Sequence, residues 1–123
     1  MDSILTSIKK LLGIDEECED FDQDLIIHIN SVFINNLRQI GVGPTNGFMI
    51  TGKQEAWDEF SEDSILAESV KTYIYFKVRL AFDPPSNSNL VSSIERQISE
   101  LEWRLTNSND ICPKEVIDDA DET

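Results

Sequence analysis

"KTYIYFKVRLAFDPPSNSNLVSSIERQISELEWRL", from Lys71 to Leu105, decides the fold. Its first part completes a broadly apolar helix that runs from about Ser64 to Phe82 and carries Ile65, Val70, Tyr73, Ile74 and Val78. Apolar residues on that many sides predict a central helix contacted by several neighbours. Pro84 ends it, because the residue before a proline is pushed out of helical geometry. A further helix begins near Asn87 to Leu90, and Leu90, Ile94, Ile98, Leu101 and Leu105 give it a narrow stripe at spacings of three and four. The short Pro84-Pro85 bend makes the two helices antiparallel neighbours. Glu100 and Arg104 form the favoured i,i+4 orientation on the second.

Working outward, Ser3–Leu12 has apolar residues at helical spacing, with Asp2 or Ser3 to cap it and Gly13 to stop it. It is too short to stand alone in water and must dock. The acidic loop "IDEECEDFDQD" follows, and Asp20 with Gln23, or Asp22 alone, is expected to cap the next helix, from about Asp22 to Ile40. Its stripe is Leu25, Ile26, Ile29, Phe33, Leu37 and Ile40, and Gly41 stops it. "GVGPTNGFMITGKQEAWDEF" is punctuated by glycines and a proline, so no helix is expected there. Phe48, Met49 and Ile50 are read as extended, half of a small hairpin, and Trp57 and Phe60 as anchors pinning the loop to the body. The fold class is therefore all-α: a small bundle of about four helices, one long Gly-rich loop and a flexible acidic C-terminal tail. Residues 1–106 form the helical domain. Residues 107–123, polar and acidic, are expected to be disordered alone.

The chain has 123 residues, 24 of them acidic and 10 basic, for a formal net charge of -14. Such a surface repels nucleic-acid phosphates and anionic membranes. "MDSILTSIKKLLG" does not read as a signal peptide, and no run reaches the ~18 apolar residues of a membrane span. Cys18 and Cys112 lie far apart and read as free thiols of a reducing cytoplasm.

Chemistry-bearing constellations are missing from the sequence. His28 has apolar neighbours and reads as a helix residue near a core edge. Cys18 sits among carboxylates, which blunt a thiol, and Cys112 lies in the tail. An EF-hand loop needs Gly at its sixth position and Glu at its twelfth; counted from Asp15 these places hold Asp20 and Ile26, and from Asp20 they hold Leu25 and Ser31. "GVGPTNG" follows a helix and lacks the Lys-Ser/Thr pair of a phosphate loop. Lys71, Lys77 and Arg79 share a helix but not a face. The sequence gives no catalytic residue, metal site or cofactor, and we expect no enzyme.

Protein–protein binding remains. Trp103 lies about 200° round its helix from Leu101, so it shares a face with Glu95, Arg96 and Ser99. A large aromatic on a polar face beside Arg104 has the form of an interface anchor; the alternative is that the Gly-rich loop folds over it. Candidate interface residues are Arg96, Trp103 and Arg104, with loop contacts at Phe48, Met49, Ile50 and Trp57, and a hairpin bend at Pro84 and Pro85.

"HINSVFINNLRQIGVGP" (28–44), "VKTYIYFKVRLAFDPPSNS" (70–88) and "ERQISELEWRL" (95–105) together resemble the small head–tail connector proteins of tailed bacteriophages, also called head completion or adaptor proteins. The resemblance covers roughly residues 1–106. It implies a helical, non-catalytic virion protein without cofactors. Such a protein forms a homo-oligomeric ring, usually dodecameric, between the portal and the tail or stopper. It completes the head and extends the DNA channel without sequence-specific DNA binding. It would be portal-binding, sit at the head–tail junction and be assembled in the host bacterial cytoplasm, away from any membrane. In relatives, C-terminal segments commonly reach the portal; here the resemblance would place that contact at the end of the last helix and the tail from about Asn107, with Asn107 and Ile111 as interface candidates, although the tail follows no family motif. Two other readings stay open: an acidic DNA mimic that blocks a host or defence nuclease, and a plain helical domain with some other partner. Against the mimic, the acids concentrate in the 15–24 loop and the tail instead of along one extended face.

Overall fold

Helix α1 (Ile4–Leu12) begins where the Ser3 hydroxyl accepts the Thr6 N–H at 3.0 Å and ends at Gly13, whose φ of 80° permits the left-handed cap. The computed structural model describes residues 3–44 and 47–111, with side chains as far as Asn107. The other helices are α2 (Asp22–Ser31), α3 (Trp57–Phe60), α4 (Ser64–Phe82) and α5 (Ser88–Ile111), and among the described residues there is no strand. The fold is an all-α small bundle.

Helix α4 is the central element and packs against α1, α2, α3 and α5. Asp63 starts it by accepting the N–H groups of Ile65 and Leu66 at 3.0 and 3.2 Å. Val70, Tyr73, Ile74 and Val78 are buried along it, each apolar side chain contributing about 1.5–3 kcal/mol relative to exposure. Asp83–Asn87 then reverses the chain through Pro84 and Pro85, and the Asn87 side chain caps α5 by accepting the Asn89 N–H at 2.8 Å. Helix α5 buries Ile94, Ile98 and Leu105 against α4. Across this pair the Tyr73 hydroxyl donates to Glu102 Oε2 at 2.6 Å.

Several local expectations are corrected. The helix read as Asp22–Ile40 is α-helical only to Ser31 and continues as a π-helical segment, Val32–Leu37. There the Arg38 N–H reaches back five residues to the Phe33 carbonyl at 3.0 Å. The wider turn keeps Val32, Phe33 and Leu37 all in the core. Neither Asp20 nor Asp22 caps α2: Phe21 occupies that position, with no side-chain cap. Asp22 instead pairs with Lys9 at 2.9 Å. The Lys9 side chain is 1% exposed and also donates to the Glu16 and Cys18 carbonyls at 3.0 and 2.6 Å, which folds the acidic loop onto α1. The Gly-rich stretch does hold a helix, the single turn α3, started where Glu59 accepts the Ala56 N–H. Among the described residues no strand, and so no hairpin, forms around Phe48–Ile50. Finally, α5 runs on to Ile111, past the Thr106 end read from the sequence.

The loop is held by substitutes for a strand partner. Asn30 bonds both backbone groups of Ile50, accepting its N–H at 2.7 Å and donating to its carbonyl at 2.9 Å. Phe48 stacks edge-on to Phe33 and Phe60, with centroids 5.1 and 5.5 Å away. Gly43, at φ 100°, lies so close to this cluster that a Cβ would stand 2.6 Å from the Phe60 ring. At its far end the Ile4 N–H donates to the Glu55 carbonyl at 2.9 Å, beside an isolated bridge between Ser3 and Ala56.

Candidate functional site

Trp103 is 69% exposed on the outer face of α5. The helical angle that separates it from Leu101 explains this: Leu101 and Leu105 turn toward α4 and Trp103 turns away. The Gly-rich loop does not cover it, because that loop is tied to Asn30 and to the Phe33–Phe60 cluster. Arg96 and Arg104 are exposed on the same helix. Arg104 pairs with Glu100 at 2.9 Å in the i,i+4 arrangement, and Arg96 has no ion pair among the described residues. Asn107 is half-buried. Ile111 is the last residue of α5, and its side chain lies outside the described residues.

Beside Trp103 a groove opens between α5 and the π-helical end of α2. Near the tryptophan its walls are Asn36, Gln39, Ile40, Thr106 and Asn107. Further along it is floored by Lys77, Val78 and Ala81 of α4, between His28 and Ser31 on one side and Ile98 and Ser99 on the other, with a volume of ≈ 610 Å³. Asn36, Ser99 and Glu102 line both stretches, so the two adjoin. The π turn helps to shape it, because it shifts Asn36 and the residues after it relative to a regular helix. His28 lies at its edge, its ring 6.3 Å from that of Phe82.

The loop candidates divide. Ile50 and Trp57 are buried inside the subunit, the indole Nε1–H of Trp57 donating to the Ser7 hydroxyl at 3.1 Å. Phe48 is half-buried in the aromatic cluster. Met49 is exposed. Pro84 is exposed and Pro85 half-buried at the α4–α5 reversal, distant in sequence from the Trp103 end of the helix.

The structure adds two residues that the sequence reading missed. Ile27 of α2 and Ile34 of the π-helical segment that follows it are exposed, 64% and 38%, and Ile27 lies three residues before Asn30, on the same side of α2. Since Asn30 holds Ile50, this face adjoins the segment carrying Met49. It differs from the face of α2 that lines the groove. The signal was present as two isoleucines off the main stripe, but single exposed apolar residues are common and carry little weight alone.

Among the described residues, no group of three or more His, Cys, Asp or Glu side chains could hold a metal ion, and no helix is long and apolar enough to cross a membrane. Burial and the neighbouring Glu102 carboxylate push the Tyr73 phenol well above its ordinary range; it stays protonated and works as a structural donor.

A sequence model of the family described as phage connector protein matches residues 4–111. No curated protein and no solved structure matches. The match spans α1 to α5, and the chain belongs to the phage connector protein family.

Proposed function

We propose that this connector is a structural, non-catalytic virion protein. It assembles as a closed ring, dodecameric as the resemblance to head–tail connectors implies, between the capsid portal and the tail or stopper. In that position it completes the head and continues the DNA channel. The observation that carries the reading is the placement of two apolar features on different faces. Trp103, on the same helix as Arg96 and Arg104, is exposed on α5, while Ile27 of α2, Ile34 of the π-helical segment and Met49 of the loop are exposed on other elements. A ring needs heterologous contacts, one face of a subunit meeting a different face of the next. Two unlike apolar patches supply such a pair, and Asp24, exposed three residues before Ile27, offers a counter-charge to an arginine beside Trp103.

The acidic balance suits a conduit. A negative lumen does not grip phosphates, so DNA slides past without sequence-specific contact. An assembled channel lined by lysine and arginine would contradict this part of the reading.

Co-sedimentation of the purified chain with the portal protein of the same phage tests the assignment. The connector reading expects the two to sediment together as a large complex, and expects no binding to a basic nuclease. Failure to join the portal, together with tight and strongly salt-dependent binding to the nuclease, would replace the connector by a DNA mimic.

A further inference from the structure

The groove beside Trp103 has an apolar floor of Val32, Val78 and Ile98 and no covering element among the described residues. Three charged side chains face it. Lys77, half-buried on the floor, has neither an ion pair nor a hydrogen bond among the described residues. Glu95, exposed on the rim, is likewise unpaired among them. Glu102 holds the Tyr73 hydroxyl with Oε2, and its Oε1 has no partner among the described residues.

These groups form a fixed pattern along the helices. Helices α4 and α5 are antiparallel, and the Tyr73–Glu102 bond sets their register. Four residues along α4 from Tyr73, Lys77 therefore lies level with Ile98, with Glu95 and Glu102 about one turn to either side on α5. A lone cation on the floor asks for an acceptor, and the two carboxylates around it ask for cations. An acidic segment would satisfy the lysine and be repelled by both glutamates. An extended basic segment would satisfy the glutamates and set like charge against the lysine. The C-terminal end of a helix meets both needs at once. Its last four carbonyls have no partner within the helix, and lysine or arginine in its last turn is favoured by the dipole. We propose that the groove receives the C-terminal turns of an amphipathic helix of a partner protein. Its apolar side chains lie on Val78 and Ile98, its terminal carbonyls accept from the Lys77 ammonium, and basic side chains of its last turn pair with Glu95 and Glu102. Trp103, next to Glu102 at the groove wall, offers its ring face to the same cations. The net charge of -14 adds a longer-range attraction for a basic helix end. On the connector reading the helix belongs to a neighbouring virion protein, yet the docking is a property of this groove and stands without the ring.

The test titrates the full chain, isotope-labelled for amide NMR, with amidated model helices of leucine and alanine that differ only in their charged residues. Docking predicts that a helix with lysines in its last turn shifts the groove amides, Gln39, Ser99 and Thr106 among them. Helices with glutamates in the last turn, or with the lysines moved to the first turn, bind at least about tenfold more weakly. Glu95→Lys, a change at an exposed side chain, weakens binding of the lysine-ended helix about fivefold. Lys77→Met weakens it as well, because the carbonyls lose their donor. No shift with the lysine-ended helix, equal binding of either other helix, or tighter binding by Lys77→Met would each overturn the proposal. Groove amides that shift with protein concentration in the absence of peptide would overturn it in favour of a second copy as the occupant.

Discussion

Asn30 stands in for a β-strand: its side-chain amide pairs with both the N–H and the carbonyl of Ile50, twenty residues away in sequence, at 2.7 and 2.9 Å. This contact, with the Phe33–Phe48–Phe60 cluster, gives the Gly-rich loop a fixed place on the body. Asn30→Ala leaves two largely buried backbone groups without partners, at a cost of about 1–3 kcal/mol. Urea unfolding followed by circular dichroism should show a lower midpoint with an unchanged slope. An unchanged midpoint would mean that the aromatic cluster alone holds the loop.

The Lys9–Asp22 pair joins α1 to the start of α2 with the lysine almost wholly out of solvent. Removing the carboxylate strands a buried cation, so Asp22→Ala is expected to destabilise by about 3 kcal/mol. Lys9→Met in the same background removes the stranded charge. The double variant should therefore be more stable than Asp22→Ala alone. Simple addition of two losses in the denaturation midpoints would show that the pair is not coupled.

The Tyr73 phenol, raised by burial and by Glu102, links stability to alkaline pH. The unfolded chain releases this proton near its ordinary value of about 10, while the folded chain holds it to higher pH. Stability from this group is thus complete below about pH 10 and declines as pH rises above it. Tyr73→Phe should be less stable at neutral pH by about 1 kcal/mol, and the gap to wild type should narrow as pH climbs. A constant gap across the alkaline range would contradict the linkage.

Trp103 touches little within its own subunit, so Trp103→Ala should change monomer stability by less than about 0.5 kcal/mol. The same change should weaken assembly, read as a shift to smaller species in analytical ultracentrifugation. An unfolded variant would place Trp103 in the core. A folded variant that assembles normally would move the subunit contact elsewhere.

Much of this architecture is legible in the sequence because its signals are local. The apolar run and Pro84 mark α4 as Ser64–Phe82, Gly13 ends α1, and the angle between Leu101 and Trp103 sets the tryptophan off the buried stripe. Other features depend on partners distant in sequence or on backbone detail. The π turn at Val32–Leu37 leaves the apolar stripe intact, so periodicity cannot show it. Lys9 reads as an ordinary helix lysine until the carbonyls of Glu16 and Cys18 close round it. Asn30 is one polar residue among several on α2, and only the folded loop reveals its role.

Quantitative peptide mass spectrometry of purified, DNA-filled virions, beside infected-cell lysate, tests the central claim most directly. A connector at the head–tail junction should be present in virions at a copy number like that of the portal. Detection in lysate alone, with none in virions, would contradict the account.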